Sequence, residues 1–138
     1  MTARDHLNSY GELLRKEERV REEIDRLRAR WTATNITISD MPHNPNSPRD
    51  LSDYAARLDE LERELADAVC DQALRRDEIK RKIATLDNPT EADILYYRYL
   101  CLMRWDDVAA KIKYDRRYTL KKHADALKHY GDYEEAAV

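Results

Sequence analysis

Apolar residues recur from the start of the chain at helical spacing. Within residues 3–33, Tyr10, Leu13, Val20, Ile24, Leu27 and Trp31 fall three and four apart, and Glu17 interrupts the stripe once. Tyr10, Glu17, Ile24 and Trp31 share one repeat position and Leu13, Val20 and Leu27 the other, which is the pattern of a coiled-coil seam. Gly11 weakens the start of this helix by about 1 kcal/mol relative to Ala. The pattern lapses at 34–49, where "TNITISDMPHNPNSPR" holds three of the four prolines. Proline lacks the N–H and disfavours helix in the residue before it, so this stretch is expected to be a long, exposed connection. Residues 50–87 resume the heptad with Leu51, Tyr54, Leu58, Leu61, Leu65 and Ala68, loosen through Val69, Gln72 and Ala73, and return to it at Ile79, Ile83 and Leu86. Two helices with one apolar stripe each are expected to pair as an antiparallel hairpin, leaving the stripes partly open to self-association.

Asn88-Pro89 ends the second helix, and a domain boundary is expected there, between 1–88 and 89–138. Thr90 is the expected N-cap of the next helix, with Asp93 at the reciprocal position of a capping box. Three short helices follow. "EADILYYRYLC" buries Ile94, Leu95 and Tyr99. Residues 105–112 present Trp105, Val108, Ala109 and Ile112 on one face, and "KYD" breaks the chain before a third helix at 116–130. Asp115 is the expected N-cap of that helix, and Gly131 its stop. The spacing of Thr119, Leu120, His123, Ala124, Leu127 and Tyr130 turns these residues inward. The fold class is therefore all-α: a long N-terminal antiparallel helical hairpin, coiled-coil-like, followed by a three-helix C-terminal domain laid out as helix-turn-helix.

Charge changes this picture more than composition does. The chain has 138 residues, 38% of them charged, two Gly and a formal net charge of −3, a total that does not point to nucleic acid. Residues 111–130, however, hold seven basic side chains against two acidic ones, a local footprint that the total conceals. Arg can fork onto guanine O6 and N7, while Lys offers a point charge to phosphate. Lys113, Arg116, Arg117, Tyr118, Lys121 and Lys122 lie at or near the start of the third helix, the end that enters the major groove in helix-turn-helix proteins. They are the candidate contacts to double-stranded DNA.

Other chemistries find little support. His6, His43, His123 and His129 do not stand at metal-ligand spacing with one another or with a cysteine. There is no Gly-rich phosphate loop, no GxSxG and no HExxH. Asp106-Asp107 reads as a helix start. The chain is thus read as a non-enzyme without cofactor or metal. Cys70 and Cys101, far apart, read as reduced packing thiols of a cytoplasmic protein. No apolar run approaches the ~20 residues needed to span a bilayer, and "MTARDHLNSYGELL" lacks a signal-like apolar region.

The segment "TEADILYYRYLCLMRWDDVAAKIKYDRRYTLKKHADALK", residues 90–128, resembles region 4 of bacterial sigma factors. The anchors are Arg98-Tyr99, Trp105, Val108-Ala109, Ile112, Tyr114, Asp115, His123 and Ala126-Leu127. Joined to a long helical N-terminal half, it is more similar still to the RinA- and ArpU-like late-gene transcriptional activators of phages. That resemblance implies a sequence-specific DNA-binding regulator in a bacterial host cell, an activator acting with host RNA polymerase. The chain departs from the pattern in three places: Asp115 replaces Ser or Thr, Thr119 replaces an aliphatic residue, and Lys122 stands where Leu is common. Two alternatives stay open. One is a small terminase subunit that binds packaging-site DNA as a ring; the other is a protein-interaction module that docks on RNA polymerase without gripping DNA. The N-terminal helices make a homo-oligomer the expectation.

Overall fold

The computed structural model describes residues 1–36 and 48–133, with side-chain surroundings for 1–33 and 50–133. Among the described residues the protein is all-helical, with no strand. The elements are α1 (Ala3–Ile36), α2 (Pro48–Ile83), α3 (Pro89–Leu95), a π-helical turn at Tyr96–Leu100, α4 (Trp105–Ile112) and α5 (Arg116–Tyr130). The proline-rich connection expected at 34–49 lies for the most part outside the described residues. On its flanks, helix continues to Ile36 and begins again at Pro48. No helix among the described residues is long and apolar enough to cross a membrane.

The chain divides into two compact units, and the division does not fall at 88/89. One unit joins Met1–Leu13 to Asp71–Val138; the other is Leu14–Cys70. Both long helices are therefore shared between the units. In Leu14–Cys70, the heptad positions Val20, Ile24 and Leu61 form a small buried core, with Leu27, Leu58 and Leu65 packed against it. Trp31 stacks on Tyr54 at 4.5 Å between ring centroids, and Arg28 pairs with Glu62 at 3.2 Å. This order of partners runs the two helices antiparallel within the unit. Leu51 is the one large apolar side chain left exposed among the described residues of this unit.

The other unit draws its core from five helices. Leu7 and Tyr10 of α1 and Ile79 and Ile83 of α2 are buried, as are Ile94 and Leu95 of α3 and Val108 and Ala109 of α4. His6 is also buried. Its Nδ1 lies 2.6 Å from the Tyr130 hydroxyl at the end of α5, and its ring stacks on Tyr133 at 3.9 Å. Burial lowers the His6 pKa, so the neutral ring accepts from Tyr130 at Nδ1 and donates from Nε2 toward Glu78, 3.4 Å away. Arg75 donates to Ser9 Oγ at 2.6 Å, and Lys82 Nζ to the Gly131 carbonyl at 2.9 Å. The first turns of α1 and the last turns of α2 thus belong with the C-terminal helices.

Two local expectations are corrected. Helix α2 ends at Ile83 rather than at 87, because the chain tightens into three-residue turns: Thr85 N–H donates to the Lys82 carbonyl and Leu86 N–H to that of Ile83. The N-cap of α3 is Asn88, not Thr90; its side chain accepts from Thr90 N–H at 2.9 Å and Glu91 N–H at 3.4 Å. Pro89 then takes the first helical position, where its missing N–H is no loss. The π turn has a reason in the sequence. Ile94-Leu95 and Tyr99-Leu100 are buried pairs five residues apart, and a regular α-helix would rotate the second pair about 140° away from the first. A wider turn, closed by Cys101 N–H on the Tyr96 carbonyl at 3.1 Å, keeps both pairs inside.

Candidate nucleic-acid interface

Helix α4 opens with Asp106 and Asp107 in its first turn, next to the partial positive charge of the helix start. Trp105 is half-buried. Its ring meets His123 edge-on at 4.5 Å, and the Arg98 guanidinium lies over it at 4.7 Å. Val108 and Ala109 face the interior, and their small size suits close packing on α5.

The break between α4 and α5 is a Schellman closure. Lys113 takes the left-handed conformation at φ 65° and ψ 38°. Its N–H reaches the Ala110 carbonyl at 3.3 Å, and Tyr114 N–H reaches that of Ala109 at 3.1 Å. Glycine is the usual residue here; a side chain at this φ costs roughly 1–2 kcal/mol. Asp115 then turns extended and caps α5, its Oδ1 accepting from Tyr118 N–H at 2.7 Å. Thr119 donates its hydroxyl to the Asp115 carbonyl at 2.8 Å and is fully buried. This bond explains why a threonine can stand at a core position.

The inward stripe of α5 is Thr119, His123, Ala126 and Tyr130. His123 lies 2.7 Å from the Tyr99 hydroxyl. Burial, reinforced by the guanidinium groups of Arg4 and Arg98, pulls its pKa down to about 4, so it is neutral and accepts from Tyr99. Burial likewise raises the Tyr99 phenol, which keeps its proton. At the far end, exposed His129 pairs at 2.7 Å with the buried carboxylate of Glu91 and ties α5 to α3.

The six candidate contacts separate by face. Arg117 and Lys121 lie one turn apart on the face opposite the buried stripe; both are exposed, with no ion-pair partner among the described residues. Arg116 is exposed but leans toward α4, 3.7 Å from Asp106. Tyr118 and Lys122 form a half-buried flank, with the Lys122 ammonium 5.8 Å from the Tyr118 ring and Tyr114 against the same ring at 4.4 Å. Lys113 is exposed in the turn. Leu120 and Ala124, expected inward, are instead exposed on the Arg117–Lys121 side. The spacing of 119, 123, 126 and 130 is as helical as that of 120, 124 and 127. Spacing alone turns both series inward; Thr119 and His123 find buried partners in the Asp115 carbonyl and Tyr99, so their stripe goes inside and Leu120 and Ala124 stay exposed.

Among the described residues, no group of three or more His, Cys, Asp or Glu side chains is placed to hold a metal ion. Cys70 and Cys101 are both exposed, which corrects their reading as packing residues. No family model, curated protein or solved structure matches this chain.

Proposed function

We propose that this protein is a sequence-specific DNA-binding regulator of transcription in which α4 and α5 act as a helix-turn-helix. Helix α5 reads the major groove and α4 supports it. The observation that carries this reading is the outward face of α5: two exposed cations, Arg117 and Lys121, with no ion-pair partner among the described residues, one turn apart near the start of a firmly capped helix. Arg117 supplies the fork that recognises guanine, and Lys121 a charge for phosphate. The three-residue turn and the small side chains of α4 favour the same arrangement. The resemblance to sigma region 4 and to phage late-gene activators extends the proposal to activation of phage or prophage genes with host RNA polymerase.

The test is a titration of the purified protein against duplex DNA from upstream of its own gene, with a scrambled duplex as competitor. Preference for the upstream duplex supports the reading. Equal, weak binding to both duplexes removes it and favours a module that docks on protein.

A further inference from the structure

Leu120 stands out on the proposed reading face. It is 39% exposed at the edge of that face, one turn after Arg117, and Ala124 is exposed one turn further along. An apolar side chain held in water on a charged face gains when it meets an apolar surface. In the major groove, the apolar feature of a base edge is the C5-methyl group of thymine. From Arg117 to Ala124, α5 advances about 10 Å, the rise of roughly three base pairs. We infer that Leu120, backed by Ala124, is a specificity-determining residue that packs on a thymine methyl within three base pairs of the guanine read by Arg117. This inference rests on the proposed DNA-reading role of α5 and adds the base class that its apolar positions select.

The geometry limits the alternatives on the same face. Tyr114 and Tyr118 are occupied with each other and with Lys122 on the flank, so they do not share the Leu120 position. Arg116 is drawn toward Asp106, which leaves Arg117 as the arginine nearest Leu120 on the outward face. Guanine and thymine are then read by neighbouring positions of one turn.

The experiment selects duplexes from a randomised 20-base-pair library with the wild-type protein. The preferred duplex is then resynthesised with one thymine at a time replaced by uracil, which removes the methyl group and keeps the hydrogen-bonding edge. For the wild type, uracil is expected to weaken binding about 3- to 5-fold at one or two positions within three base pairs of a guanine, as loss of one buried methyl group implies. For Leu120→Ala the penalty at those positions falls below about 2-fold. Because the perturbation is in the DNA, it leaves the protein's folding untouched. If the wild type selects a duplex but uracil costs nothing at any position, or costs the same for Leu120→Ala, the inference is wrong and the DNA-reading role of α5 stands. If no duplex is enriched, the DNA-reading role itself fails, and the inference fails with it.

Discussion

Replacing Leu7 by Ala tests whether the first turns of α1 belong to the unit that contains α4 and α5. Leu7 is fully buried, although it lies about 80 residues before α3. If it sat on an isolated N-terminal helix, exchange for Ala would be close to neutral, since Ala is the better helix former. In a shared core the exchange removes buried methyl groups and leaves a cavity, which costs about 2–5 kcal/mol. Urea lowers stability by about 1–3 kcal/mol per molar, so a loss near 3 kcal/mol moves the unfolding midpoint down by about 1–3 M. The chain has two tryptophans, Trp31 in Leu14–Cys70 and Trp105 in α4. In a Trp31→Phe background, Trp105 fluorescence follows the unit that carries the proposed reading helix. Leu7→Ala is expected to lower the midpoint seen by Trp105 by at least about 1 M. An unchanged Trp105 midpoint would refute the shared core and restore a boundary at 88/89.

Three further outcomes follow from the same packing. His123 has a folded-state pKa of about 4, below the ~6.5 of an unfolded chain, so between these values the unfolded state binds the extra proton and stability falls as pH falls. Between pH 7.5 and pH 5 this group alone removes about 2 kcal/mol, measurable as a falling urea midpoint, and His123→Gln should flatten that dependence. His6, lowered by burial, acts in the same direction. Lys113→Gly relieves the left-handed side chain at the end of α4 and should raise the thermal midpoint, with a gain of about 1 kcal/mol. Asp115→Ala removes the α5 cap and should cost about 1 kcal/mol in the same melt.

Much of the local structure was legible in the chain. The break at "KYD", the cap at Asp115 and the stop at Gly131 follow from residue chemistry that acts within a few positions, and the structure keeps all three. The seam of Val20, Ile24 and Leu61 was legible because a heptad needs only the order of apolar residues. What escaped depends on partners distant in sequence. His6 reads as a polar residue of a charged helix until Tyr130 stands beside it. Spacing turns Thr119 and His123 inward together with Leu120 and Ala124, and only the partners of the first two, the Asp115 carbonyl and Tyr99, show that they go inside while Leu120 stays outside. The division of the six candidate cations and aromatics into a face, a flank, a pair with Asp106 and a turn residue likewise required the placement of α4 against α5.

The measurement that bears most directly on the central claim is the salt dependence of binding to the preferred duplex, for the wild type and for Arg117→Ala/Lys121→Ala. If the outward face of α5 grips DNA, the wild type binds with a linear fall of log K against log salt. The double variant loses about 10- to 100-fold in affinity along with its preference over scrambled DNA, and its slope is shallower by about one. Identical affinity, preference and slope for the two proteins would show that Arg117 and Lys121 are solvated surface residues and that α5 does not read DNA.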